Sequence, residues 1–192
     1  MAEICNTITK NITSADCPRP GGLNRRSWVF LLSMLTGAFT YNGTTGALSG
    51  FSIVAGQKGI KGMGRPKKGS GASTGTQAEN GSFQVEQTLI QQFGFKNQLE
   101  LNALTDFLKA GGKVVFQELN SGAIRVYFKE FGNETGTGEE GSGETLNADN
   151  GIMTTTLKGF EPEFPTFFEA PITAGETQLA ASRAYLDALC VA

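Results

Sequence analysis

The clearest signal in the chain is a change of period between residues 82 and 110. Over 82–95 the side chains alternate. Phe83, Val85, Gln87, Leu89, Gln91 and Phe93 share one parity; Gln84, Glu86, Thr88, Ile90 and Gln92 share the other. Successive strand side chains point to opposite faces, so this stretch predicts a long strand with one mostly apolar and one mostly polar face. A polar second face suits a sheet with one side toward water, either bulk solvent or a water-filled lumen. From 99 to 110 the period becomes three to four, with Leu101, Leu104, Phe107 and Leu108 on one side. That predicts an amphipathic helix. Asn97 is placed to cap it, Glu100 stands three residues on as the capping-box partner, and Gly111-Gly112 ends it.

Short apolar runs bounded by turn residues predict further strands. They cover 26–35 (continuing toward Phe39), 48–55, 113–119, 123–131 and 152–160. Asn42-Gly43 and Asn120-Ser121-Gly122 read as turns between them. Residues 177–189 predict a C-terminal amphipathic helix with Leu179, Leu186 and Leu189 apolar, after a stretch broken by Pro162, Pro165 and Pro171. Two segments show no hydrophobic period and read as long loops: 56–81, with eight Gly, and 133–151, also Gly-rich. Unstructured loops of that length are uncommon in a domain unless they function or become ordered on assembly. The expected architecture is mainly β (α+β): an antiparallel β-sandwich or β-barrel over 28–170, with one flanking α-helix at about 99–110. A polar arm over 1–27 precedes it, and a tail over 171–192 with a possible helix follows.

Composition narrows the chemistry. The length of 192 residues suits one domain. Gly, at 26 residues, is about twice its usual share of roughly 7%, which fits short strands joined by turns. His is absent, which removes Ser-His-Asp and Cys-His catalysis and every His-bearing metal site. Cys5, Cys17 and Cys190 are odd in number and lack C-x-x-C spacing. They read as free thiols, with a Cys5–Cys17 bridge as the alternative. Gly64 to Ser70 resembles a phosphate loop but has Ser70 where the motif needs Lys. The Asn147 to Gly151 run lacks the ligand pattern of a calcium loop. Glu161 and Glu163, flanked by Pro, read as solvated turn charges. No cofactor and no enzymatic activity are expected. The apolar segment 28–35 is too short to cross a bilayer, which takes about 20 residues. With no signal-peptide pattern, the expectation is synthesis in the cytoplasm without a membrane anchor.

The charge distribution is uneven. Residues 17–78 contain no acid and carry a net +8, while 79–192 carry a net −9. Lys58, Lys61, Arg65, Lys67 and Lys68 concentrate in the first long loop; Glu134, Glu139, Glu140, Glu144 and Asp149 concentrate in the second. Such asymmetry fits a nucleic-acid partner through phosphate contacts. It also fits an acidic surface on the next copy of the same chain, where complementary potentials fix register. A solvated loop is the bland reading. No aromatic residue lies between 57 and 78, which argues against base stacking.

The order of elements from Phe83 onward resembles tail-tube-type structural proteins of phages, especially those of Bacteroidetes hosts. The resemblance rests on the long strand, the helix, the Gly112-Lys-Val-Val-Phe-Gln-Glu118 run, and the Ile124 to Gly132 run. It closes on Asn150-Gly-Ile-Met-Thr-Thr-Thr-Leu-Lys-Gly159-Phe-Glu161, and it covers roughly 48–165. It implies a virion protein whose copies form rings of six, joining their sheets into a continuous inner barrel. It further implies that the rings stack, that tail or neck proteins are neighbours, and that DNA passes transiently through the lumen. The basic loop would match the family's stacking loop. The C-terminal helix and Pro-rich tail fit the simple tube less well and leave room for a neck or head–tail role. A capsid decoration protein and a carbohydrate-binding adhesion module are the alternatives. The latter needs exposed aromatic platforms, and the one Trp, Trp28, lies in an apolar run.

Overall fold

The computed structural model describes residues 23–65, 68–141 and 151–191. In chain order the strands are β1 (Leu23–Leu31), β2 (Leu35–Tyr41), β3 (Leu48–Ile53), β4 (Ile60–Met63), β5 (Ser70–Gln77) and β6 (Phe83–Gly94). Helix α1 (Gln98–Lys109) follows, then β7 (Lys113–Leu119), β8 (Ile124–Tyr127), β9 (Thr135–Gly141), β10 (Ile152–Glu161) and β11 (Thr166–Phe168). Helix α2 (Gln178–Ala188) closes the described chain. Asn97 caps α1 as its sequence predicts, its side chain accepting from the Glu100 N–H at 2.9 Å. The return half of the box is displaced by one residue: the Glu100 carboxylate accepts from the N–H of Lys96.

The strands form two sheets, in the orders β2-β3-β11-β8-β7-β1-β4 and β5-β6-β10-β9. The neighbours pair antiparallel, apart from β3 with β11. Neither sheet closes on itself among the described residues, so the sandwich and not the barrel is the form taken. The seven-stranded sheet is a middle layer. One face packs Val29, Val115, Tyr127 and Phe128 against Leu89 and Leu157 of the smaller sheet. The other face packs Trp28, Phe30, Phe116 and Phe168 beneath Leu186 of α2. Coverage on both sides explains why Lys113 to Glu118 are buried without alternation.

Polar side chains tie the sheets at fixed positions. Gln91 donates to Gln117 Oε1 at 2.5 Å. Gln87 accepts from the Phe128 N–H and donates to the Glu163 carbonyl. These directed bonds between buried amides favour one arrangement of the layers, although the Gln91 Oε1 has no partner among the described residues. On the far side, the buried Glu118 carboxylate takes both Arg183 Nε (2.9 Å) and a terminal guanidinium nitrogen (2.5 Å), anchoring α2 to β7.

Several expectations need correction. The stretch 56–81 is not a structureless loop; it contains β4 and β5. The second long loop contains β9. The arm is shorter than 1–27, because β1 begins at Leu23. The strand read over 26–35 breaks at a 3-10 turn, Leu32–Met34, before β2. Glu161 is not a solvated charge: it is 3% exposed and belongs to a turn described below.

Candidate functional site

The four-stranded sheet brings several of the sequence-predicted charged residues onto one layer. Its central strands, β6 and β10, pair over ten positions from Ile152↔Gly94 to Glu161↔Val85. Their inward parity is buried: Val85, Gln87, Leu89, Gln91 and Phe93 on β6, with Met153, Thr155 and Leu157 on β10. The outward parity carries Gln84, Glu86, Thr88, Ile90 and Gln92 beside Thr154, Thr156, Lys158 and Phe160. The registers extend this face to Ser70, Ala72, Thr74 and Thr76 on β5 and to Thr135, Thr137 and Glu139 on β9. The surface is therefore rich in hydroxyls and amides. Glu86 and Lys158, two of its charges, lie 3.9 Å apart.

Both edge strands owe their position to glycine. A Cβ at Gly71 of β5 would lie 2.4 Å from the Tyr127 hydroxyl, and one at Gly75 would lie 2.5 Å from the Phe83 ring. On β9, a Cβ at Gly138 would lie 2.4 Å from Leu108 of α1, and one at Gly136 would lie 3.2 Å from Leu157. These glycines face inward and admit the neighbours' side chains; they are not turn residues. The outward positions of the same strands are polar and mostly exposed.

The predicted basic residues divide into two groups. Lys58 donates to the Ala188 carbonyl at the end of α2, and Lys61 lies 3.3 Å from Asp187. These two brace the C-terminal helix, where a cation also meets the negative end of the helix dipole. Arg65 and Lys68 lead into β5; the Arg65 N–H donates to the Gln92 carbonyl at the end of β6. Lys67 lies outside the described residues. Among the acids, Glu134 precedes β9 and its N–H donates to the Lys158 carbonyl, while Glu139 and Glu140 stand exposed on β9. Glu144 and Asp149 lie outside the described residues.

Register sets the relation between these groups. Ser70, Ile90, Thr156 and Thr137 form one cross-strand row. Glu139 lies two residues beyond Thr137 and pairs with Thr154, which pairs with Gln92. Lys68 lies two residues before Ser70, at the same end. The sheet thus has a basic corner at its β5 edge and an acidic corner at its β9 edge, both at the end where β6 finishes.

A second polar cluster sits at the opposite end. The buried Glu161 carboxylate accepts from the N–H groups of Glu130 (2.9 Å) and Phe131 (3.0 Å). It holds a turn in which Phe128 takes φ +58. Burial pushes the Glu161 pKa above the ordinary carboxylate value, against the lowering effect of those two bonds and of Lys129. Lys129, itself 6% exposed, bonds the Tyr41 hydroxyl and approaches Glu130 and Glu163. Burial disfavours its charge, but these partners outweigh that and hold its pKa above the usual lysine value. Trp28 is 2% exposed and donates to Asp187, so it offers no platform for a sugar ring. Cys190 is a buried free thiol with its pKa pushed up to about 11 by burial, which leaves it unreactive near neutral pH. Cys5 and Cys17 lie outside the described residues. No helix is long and apolar enough to cross a membrane among the described residues.

Sequence reasoning found the charged residues but not their placement on strand edges. It also missed Glu161, whose burial shows only once β10 is packed against the 128–132 turn. Compared with protein-family models, curated proteins and solved structures, the chain matches none.

Proposed function

We propose that the protein is a structural subunit of a phage virion, forming rings that build a tail tube or head–tail connector. The observation that carries this reading is the pair of complementary edges on one sheet, unpaired among the described residues. β5 and β9, eight and seven residues long, bound the four-stranded sheet on either side. The strands of this sheet alternate in direction, so β5 of one copy placed against β9 of the next continues the antiparallel order. The same operation brings the Lys68 corner of one copy to the Glu139–Glu140 corner of its neighbour. A heterologous contact of this kind closes into a ring when the rotation between copies divides a full turn, and closure removes edges that otherwise invite aggregation.

The sheet's outer face then lines the lumen. Four strands per copy, in a ring of six as the resemblance implies, exceed the roughly 16 strands at which a barrel encloses a water-filled channel. A lining of Thr, Ser and Gln stays hydrated and offers few cations to hold phosphate, so DNA would pass without the strong adhesion that Lys and Arg contacts produce.

Negative-stain electron microscopy of the purified protein, with light scattering across a concentration series, tests the proposal. Rings or tubes of uniform diameter are expected. A protein that stays monomeric at high concentration, with no such particles, would overturn it.

A further inference from the structure

Beneath α1 and beside β4 runs a groove of about 310 Å³ whose walls include Ile60, Met63, Phe93, Leu104 and Phe107. A volume of this order with mostly apolar walls is the usual form of a small-molecule site. The chain beside β4 is already taken: the Gly59 N–H donates to the Leu189 carbonyl, and the Val191 N–H donates to the Gly59 carbonyl. An added strand would meet the end of α2 there, so the occupant that fits is compact.

The floor of the groove holds an unmet polar group. Ser27 lines it and is 1% exposed, and its hydroxyl has no hydrogen-bond partner among the described residues. A serine hydroxyl offers one donor and two acceptor positions, and leaving them unpaired in the interior is costly. Ser27 pairs with Gly62 across β1 and β4. Gly62 also lines the groove, and a Cβ there would lie 2.4 Å from the Ser27 Oγ and 3.5 Å from the Phe93 ring. Gly62 has no positive φ, so backbone conformation does not demand glycine at this position. Its effect is on space: the hydroxyl faces the gap that a side chain at 62 would fill.

The walls select the rest of the molecule. Phe93 and Phe107 stand with ring centroids 6.3 Å apart and planes at 64°, so they present an edge and a face to a third ring. Met63, 60% exposed, adds a flexible thioether that adapts to aromatic edges. The two charged residues of the lining are engaged: Lys61 lies 3.3 Å from Asp187, and the Glu100 carboxylate accepts from the Lys96 N–H. Neither is left to neutralise a charge on the occupant. We propose that this groove binds a small neutral aromatic molecule carrying one hydroxyl. Its ring lies among Phe93, Phe107 and Met63, and its hydroxyl bonds the Ser27 Oγ through the gap beside Gly62. The site belongs to a single copy and stands whether or not copies associate.

Methyl NMR on the full chain tests it, with 4-ethylphenol as the probe and ethylbenzene as its match without the hydroxyl. Saturable shifts are expected at the Ile60, Met63 and Leu104 methyls, half-complete at about 1 mM or below. The Leu48 and Ile124 methyls of the core beneath α2 should not move. Ser27→Ala should weaken 4-ethylphenol by about fivefold, the worth of one hydrogen bond, and leave ethylbenzene unchanged. Ala103→Phe, at an exposed α1 position on the groove wall, should weaken both by obstructing the site. Absence of saturation at the groove methyls, or equal 4-ethylphenol affinity in wild type and Ser27→Ala, overturns the proposal. Groove shifts that follow protein concentration without added phenol also overturn it, by assigning the groove to a neighbouring copy.

Discussion

At the scale of single residues, Glu161 shows how a buried charge can shape a turn. Its carboxylate satisfies two main-chain N–H groups of the 128–132 turn for which no other acceptor stands among the described residues. Removing it leaves two part-buried donors without that partner, each costing about 1 kcal/mol, the low end of the range for a lost partner, because Glu130 and Phe131 are exposed to water. Glu161→Ala should therefore destabilise the fold by about 2 kcal/mol in urea denaturation, whereas Glu161→Gln keeps a carbonyl acceptor and should cost less. The pH dependence has a definite sign. Burial raises the folded pKa of Glu161 above the ordinary value of 4.5. Its contribution is therefore greatest below that value and is lost as pH rises through the folded pKa. Measured against Glu161→Gln, which does not titrate, the wild type should lose relative stability as pH is raised from 4 toward neutrality. A constant difference across that range would remove burial as the dominant influence on this carboxyl. Lys129, with its pKa raised, holds its charge throughout the window and so does not obscure the comparison.

At the scale of elements, the two glycine-bearing edge strands are the informative case. Gly71 has no positive φ; its constraint is the Tyr127 hydroxyl, 2.4 Å from where a Cβ would stand. Tyr127 is 2% exposed and rigidly packed, so it cannot yield easily. Gly71→Ala should cost about 2 kcal/mol through overpacking. Gly141→Ala, at the open end of β9 with nothing within 4 Å, should stay within about 0.5 kcal/mol. Thermal denaturation of the two variants side by side measures the contrast. The same glycines explain what the sequence hides. The alternation in Phe83–Gly94 and the helical period over Gln98–Lys109 contrast apolar with polar positions and are legible without a structure. The inward positions are Gly71, Ser73, Gly75 and Gln77 on β5 and Gly136, Gly138 and Glu140 on β9, so this face has no hydrophobic signature. Their Gly content resembles that of loops, and only the opposing side chains, far away in sequence, reveal the close approach. Gln87 and Gln91 illustrate the converse: polar residues at inward positions of a legible strand, buried with partners far away in sequence, Phe128 and Glu163 for Gln87 and Gln117 of β7 for the Gln91 amide nitrogen.

At the scale of the whole molecule, the edges make the assembly reading quantitative. The charged residues were identifiable in the sequence, but their pairing was not. Lys68 and Glu139 come to the two corners of one sheet end only through the β5-β6-β10-β9 order. In the proposed ring that order gives these charges a lateral role, in place of the axial stacking role that the resemblance implies for a long basic loop. If copies join β5 to β9, replacing Glu139 and Glu140 with Lys sets like charges against Lys68 of the neighbour. Association should weaken by about tenfold, or roughly 1.4 kcal/mol, per interface. Adding Lys68→Glu to that double variant should recover much of the loss, because the potentials again have opposite sign. Lys61→Glu serves as the control: Lys61 pairs with Asp187 beside α2, away from either edge of the smaller sheet, and its reversal should leave association unchanged. Salt supplies an independent axis, since the screening length falls from about 10 Å at 0.1 M to about 3 Å at 1 M. Rising salt should therefore weaken wild-type association while narrowing the gap between wild type and the Lys variant. Light scattering on the four proteins across a salt series reads all of these effects. Rescue by Lys68→Glu is the decisive outcome, because a variant that merely damages the fold cannot be repaired by a second charge reversal on the opposite edge.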